Sequence, residues 1–169
     1  IGSLGQRKGV LYLLEVAEKL KKENIKFRIV TRSIEDRFIY KKAKTMSNVE
    51  IFEDINNETL KSILQESHIF MLPSLIEGFA HVILEAMNFK LVPIVSPFCC
   101  GPDLIKNNKN GYIFEPGQIN LISSKILDLY KNKKLFNKLS EGAYKDSKKY
   151  TEQKFINELN MFLNKNIRN

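Results

Sequence analysis

The chain has no tryptophan and only two cysteines, Cys99 and Cys100, in its 169 residues. Adjacent cysteines rarely bridge each other, and their spacing suits no zinc site. A disulfide scaffold is therefore excluded, and free thiols of a reducing compartment are expected. Histidine is scarce: there are only His68 and His81. Five prolines and eight glycines are too few for a collagen-like or low-complexity chain. No run approaches the ~20 apolar residues needed to span a bilayer. An initiator Met and a signal peptide are also missing, and the chain opens on Ile1. It reads as starting inside a strand, as a piece of something longer.

What is present is ordinary for a soluble globular domain: 43% hydrophobic and 27% charged residues. The length fits one domain with a single core, so residues 1–169 are read as one unit. The net charge is +8, and it is uneven. Residues 125–169 hold eleven basic and five acidic side chains, a net +6. Such a tail suits an anionic membrane surface or the phosphates of nucleic acid. However, arginine supplies only 5 of the 27 basic residues. Lysine in this excess favours solvated helix faces, and no nucleic-acid partner is expected.

Short apolar runs alternate with helical periods. Ile1–Leu4 reads as the end of a strand, and Lys8–Glu23 has helical spacing. Strands are expected at Phe27–Val30, Val49–Phe52, His68–Leu72, Val92–Val95 and Tyr112–Phe114. Helices are expected over Ile34–Lys44, from a cap at Asn57 to Gln65, over Phe79–Asn88, and from Gln118 onward with breaks near Asn132 and Tyr150. Continuously apolar strands separated by helices predict an α/β fold. It should be a Rossmann-like, doubly wound parallel sheet flanked by helices, with further helices at the C-terminus. Ligands of such sheets bind beyond the carboxyl ends of the strands, and the polar and glycine signals fall there.

The first such loop is Gly2-Ser3-Leu4-Gly5-Gln6-Arg7-Lys8-Gly9. Backbone N–H groups at the following helix start attract phosphate, and Arg7 and Lys8 add positive charge. It is neither a Walker A loop nor a dinucleotide fingerprint. The second is Pro73 to Met87. Glu77 lies beside Gly78 at a strand end, where glycine lets a ligand approach the backbone. Glu85 falls within Val82-Ile83-Leu84-Glu85-Ala86-Met87, so a buried carboxylate with a ligand for a partner is expected. A salt-bridged Glu85 at a helix edge is the competing reading. His68 reads as a packed or edge histidine, and Tyr112 and Phe114 as core.

The Glu77/Glu85 pair, set in Pro73-Ser74…Glu77-Gly78-Phe79…Leu84-Glu85-Ala86-Met87, resembles the E-x7-E motif of retaining GT-B glycosyltransferases of family 4. Lys8-Gly9 before a helix, Pro93, Gly101-Pro102 with Leu104-Ile105, and Asn110-Gly111-Tyr112 resemble the same family in order. The resemblance covers nearly the whole chain and implies the C-terminal, nucleotide-sugar-binding half of a GT-B fold. The acceptor-binding N-terminal domain would precede Ile1. The implied reaction transfers a hexosyl or N-acetylhexosaminyl group, from a UDP-sugar by preference, to a glycan or lipid-linked acceptor. Surface polysaccharide or glycoconjugate synthesis would be the setting, in the cytoplasm or at the inner face of the membrane.

The resemblance assigns the donor's diphosphate to Lys8, with Gly2, Ser3, Gly5 and Arg7 on the same loop. It assigns the donor sugar to Glu77, as the catalytic-site carboxylate, with the backbone of Gly78, Phe79 and Ala80. Glu85 would bind the ribose, with His81 one turn before it, and Phe52 and Glu53 would pass the nucleobase. It implies neither a metal nor a resident cofactor, because lysine and helix N-termini can stabilise the leaving diphosphate. Three positions depart from the family. Ser3 stands where an arginine is usual, with Arg7 as a candidate replacement. Thr31-Arg32-Ser33 replaces a Gly-x-Gly turn, bringing Arg32 toward phosphate or base. Lys90 replaces a glycine. The alternative reading is a GT-B-like interaction domain that has lost donor binding.

Overall fold

The computed structural model describes residues 1–79, 81–150, 156–157 and 160–161. The predicted helical tail beyond Tyr150 falls largely outside the described residues, as do its charges at Glu152, Lys154, Glu158, Lys165 and Arg168. The chain runs α1 (Val10–Lys19), β1 (Phe27–Thr31), α2 (Arg37–Lys44), β2 (Val49–Glu53), α3 (Asn57–Glu66), β3 (Ile69–Leu72) and α4 (His81–Asn88). It continues through β4 (Val92–Val95), α5 (Gly101–Leu104), β5 (Tyr112–Ile113), α6 (Ile119–Lys131) and α7 (Lys133–Ser147). All strand pairs are parallel, with the order β1-β2 in one sheet and β3-β4-β5 in another.

The α/β class is thus as read, but the sheet is split in two. Residues 1–4 form no strand. Gly2 N–H donates to the Val30 carbonyl at 3.0 Å, and Leu4 makes an isolated parallel bridge to Ile34. Side-chain caps set other boundaries. Asp36 accepts from Phe38 N–H and Ile39 N–H, which starts α2 three residues late. Asn56, not Asn57, caps α3 by accepting from Thr59 N–H at 2.9 Å. The unpredicted α5 is one short turn opened by Pro102, whose fixed φ suits the first helical turn.

The three-stranded sheet is covered on both faces. Phe70, Leu72 and Val95 pack with Ile83 and Met87 of α4 and Leu104 of α5. Val92, Ile94 and the buried Tyr112 pack oppositely, with Val16 of α1 and Ile122, Ile126 and Leu129 of α6. Tyr112 and Phe114 stack there at 5.7 Å, confirming the core reading. A third, smaller cluster joins Leu4, Leu14, Ile29 and Ile39 around β1 and β2. His68 is exposed at the edge, against the Phe136 ring. Neither Cys99 nor Cys100 forms a disulfide among the described residues. Lys125 and Lys149 of the basic tail pair with Asp128 and Asp146. Among the described residues no helix is long and apolar enough to cross a membrane.

Candidate functional site

Two loops far apart in sequence meet at the carboxyl end of β3. Gly9 makes the meeting possible. Its φ is +67°, and a Cβ there would collide with the Pro73 carbonyl. The start of α1 therefore lies directly on the loop that follows β3. Leu75 N–H donates to the Arg7 carbonyl at 2.8 Å and fastens the two loops.

The Pro73–Phe79 loop is held from beneath by β4. Ser96 Oγ donates to the Ser74 carbonyl at 2.6 Å, and Glu77 N–H donates to the Phe98 carbonyl at 3.0 Å. Phe98 N–H in turn donates to Ser96 Oγ. Sequence reasoning missed this brace. Its signal was a serine beside a proline at each strand end, Pro73-Ser74 and Ser96-Pro97. Leu75, Ile76, Phe79 and Phe98 leave apolar surface around the loop.

The brace presents Glu77 to two cations. Its carboxylate accepts from Lys8 Nζ, and Arg7 Nη1 lies 3.5 Å from Glu77 Oε1. Arg7 also donates to the Ile76 carbonyl at 3.3 Å. The Glu77 and Lys8 side chains are only 15% and 16% exposed, so the pair is shielded, while Arg7 is open at 46%. Partial burial pushes the Glu77 carboxyl upward. The Lys8 hydrogen bond and charge, the Arg7 charge and the Gly78 N–H outweigh it and hold the group below the usual carboxylate range. Glu77 is thus an ionised acceptor at neutral pH, with two donors within reach of any neighbouring anion.

Other predicted residues are placed as follows. Gly2 has φ +138°, and a Cβ there would stand 3.1 Å from Lys8 Cε, so glycine makes room for the lysine stem. Ser3 Oγ is buried with no partner among the described residues. Gly5 is buried against the Glu35 side chain. A Cβ on Gly78 would meet nothing, so the backbone is open to solvent there. Ala80 lies outside the described residues. His81 is exposed and touches the Phe79 ring edge-on at 4.9 Å.

Glu85 departs from expectation. It is exposed, because α4 turns Ile83, Ala86 and Met87 inward and position 85 lies off that face. Glu85 therefore needs no ligand to offset burial. Its geometry still leaves it on the solvent side of the helix that follows the Glu77 loop. Arg32 is exposed after β1. Glu53, at the end of β2, accepts from Tyr40 Oη at 2.8 Å, next to Phe52. Among the described residues no bond joins Arg32, Phe52 or Glu53 to the Lys8–Glu77 pair. Lys90 has φ +62°, a left-handed conformation that glycine adopts without strain.

Residues 1–146 match the family described as Glycosyl transferases group 1. An uncharacterized glycosyltransferase of Haemophilus influenzae is 30% identical over 167 residues, which cover 94% of this chain and 46% of that protein. The poly(ribitol-phosphate) alpha-N-acetylglucosaminyltransferase of Staphylococcus aureus is 32% identical over 158 residues, covering 89% of this chain and 32% of the relative. A crystal structure of a Staphylococcus aureus TarM mutant in complex with Fondaparinux, alpha-GlcNAc-glycerol and UDP superposes with a TM-score of 0.77. It has 26% identity, covering 95% of this chain and 35% of that one. The chain thus spans half or less of the length of these relatives. Its fold is the Rossmann-like unit of GT-B enzymes, and by the match over residues 1–146 the chain belongs to the Glycosyl transferases group 1 family.

Proposed function

We propose that this chain is the donor-binding half of a retaining glycosyltransferase that uses a UDP-sugar. The observation that carries the reading is the shielded Lys8–Glu77 pair with Arg7 beside it, at the carboxyl end of β3. Lys8 and Arg7 receive the donor's diphosphate and stabilise the charge it gains on leaving. A diphosphate competes with Glu77 for Lys8, which frees the Glu77 carboxylate to accept from hydroxyls of the sugar. The open backbone at Gly78 and Phe79 borders the sugar. Glu85, on the solvent side of α4, accepts from the ribose, and Arg32, Phe52 and Glu53 line the approach of the base. UDP bound in the TarM structure supports the choice of nucleotide.

The acceptor is a glycan or lipid-linked hydroxyl, held mainly by chain outside these residues at the cytoplasmic face of the membrane. The 169 residues alone bind donor and turn over little. Isothermal titration of UDP and GDP tests this. UDP binding should exceed GDP binding, and Lys8→Ala should weaken it at least about tenfold, the loss of one charge-assisted phosphate contact. The absence of heat with either nucleotide at millimolar concentration overturns the reading. That result would favour the non-catalytic interaction domain, the reading with which Ser3 in place of arginine and the exposed Glu85 agree.

A further inference from the structure

One face of α2 is not used by the fold. Ile39 and Ala43 are the buried residues of this helix, and they pack with Leu4, Leu14 and Ile29. Arg37, Phe38, Lys41 and Lys42 fall away from them, within an arc of about 140°, and all four are exposed. Phe38 is 71% exposed, more than any other large apolar side chain among the described residues. Ile34, just before the helix, is exposed as well.

A lone exposed apolar side chain carries no meaning by itself. The charges around Phe38 give it a setting. Among the described residues Arg37, Lys41 and Lys42 make no ion pair and no side-chain hydrogen bond. Lys44, by contrast, lies 3.7 Å from Glu53 and over the Tyr40 ring. The two acids that precede the helix are engaged elsewhere. Asp36 caps α2 by accepting from Phe38 N–H and Ile39 N–H, and it also accepts from Gln6 Nε2 at 3.1 Å. The Glu35 side chain lies against Gly5. The face is therefore an apolar anchor among unpaired cations.

We propose that this face of α2 docks on an anionic phospholipid bilayer. Phe38 enters between the headgroups, and Arg37, Lys41 and Lys42 meet their phosphates. The long basic side chains can lie along apolar lipid and keep their charges at headgroup level. Charge decides against a second copy of the chain, because two such faces repel each other. Shape favours a bilayer over a folded acidic partner, because a bilayer takes up a protruding phenylalanine without a matching pocket.

Docking also places the loop that carries Lys8. Leu4 N–H donates to the Ser33 carbonyl at 2.8 Å, and Glu35 N–H and Asp36 N–H donate to the Leu4 carbonyl at 3.0 and 3.1 Å. With the Gln6–Asp36 bond, these contacts fasten the start of α2 to the Gly2–Gly9 loop. A bilayer against α2 thus lies beside that loop. The value of this for transfer rests on Lys8 holding the donor, whereas the docking itself does not.

The chain lacks tryptophan, so Phe38→Trp creates a single reporter. Tyr130→Trp is the control. Tyr130 is also exposed and has Lys131, Lys133 and Lys134 beside it in sequence, at the junction of α6 and α7. Each variant is mixed with vesicles of equal parts brominated phosphatidylglycerol and phosphatidylcholine, with no nucleotide present. Phe38→Trp should shift to the blue and lose at least about half its emission, as expected below the headgroups, while Tyr130→Trp is unchanged. In sedimentation with the unbrominated vesicles, the Lys41→Gln/Lys42→Gln pair should weaken binding at least about tenfold. Phe38→Ser should weaken it at least about fivefold. The proposal is overturned if Phe38→Trp does not respond, if Tyr130→Trp is quenched equally, or if either set of α2 substitutions keeps wild-type binding. Equal binding to pure phosphatidylcholine also overturns it. So does a Phe38→Trp response to poly-glutamate but not to vesicles, which assigns the face to an acidic polypeptide.

Discussion

The two sheets are built alike and stabilised differently. Every residue of β4 is buried, whereas none of β2 is. The three-stranded sheet lies between two helical layers, so its cohesion is apolar area removed from water. The two-stranded sheet carries charge on its surface: Glu50 pairs with Lys26 and Arg28, and Arg28 also reaches Glu66 at 2.9 Å. The division matches the proposed chemistry. Glu77 is braced to β4 through Ser74, Ser96 and Phe98, and Lys8 is pressed onto the same loop by Gly9. Phe52 and Glu53, assigned to the base, end the shallow β2, and Arg32 is exposed just after β1. The anion site thus rests on a rigid frame, and its neighbours rest on an adaptable one.

The sharpest way to break this contrast is to truncate one isoleucine in each half. Ile94, 2% exposed between both layers, leaves a cavity when cut back. Ile94→Ala should cost about 4 kcal/mol. Ile51 of β2 is only partly buried at the margin of the smaller cluster. Ile51→Ala should cost about 1 kcal/mol, because the site can relax and hydrate. Chemical denaturation of both variants checks the ratio. Equal losses would mean that the two sheets share one core.

Lys90 tests the deep half from the opposite direction. It closes α4 in a left-handed turn, with Leu91 N–H donating to the Ala86 carbonyl at 3.1 Å. Lysine is strained there by about 1 kcal/mol relative to glycine. Its surface pair with Glu141 and its place over the Tyr144 ring offset part of this. Lys90→Gly should stabilise the protein by about 0.5 kcal/mol, read as a higher denaturation midpoint at an unchanged slope. A destabilised variant would show that the side-chain contacts outweigh the backbone strain.

The contrast between the halves also explains what the sequence could reveal. Leu91-Val92-Pro93-Ile94-Val95 is continuously apolar because β4 is covered twice, and its burial was legible. The loop that carries Glu77 was legible because Pro73 stops an apolar strand and Gly78 marks a turn before the next helix. The exposure of Glu85 was hidden. A helix as apolar as Val82–Met87 does not reveal which side meets the sheet, and one residue of rotation turns a carboxylate from core to solvent. The Ser74–Ser96 brace joins residues twenty-two apart across two strands, and the serine beside a proline at each strand end does not by itself say that the two meet. The split sheet was hidden as well, because Ile1–Leu4 has strand composition but makes few of a strand's bonds.

The smallest effect belongs to the shallow half and is the one that pH should switch. The Lys26 hydrogen bond, with the nearby charges of Lys26 and Arg28, holds the Glu50 carboxyl below its ordinary value of 4.5 despite some desolvation. Glu50 binds protons less readily folded than unfolded. Its contribution is therefore fully present above that ordinary value and is lost as pH falls through the lower folded one. The side chain is 36% exposed, so solvent screens most of the attraction. Glu50→Gln should cost about 0.3 kcal/mol at pH 7 and nothing measurable near pH 3. Urea denaturation of wild type and variant at both pH values reads this directly. Curves that stay separated in acid would show that Glu50 acts through packing, and the charged surface would then no longer distinguish the two sheets.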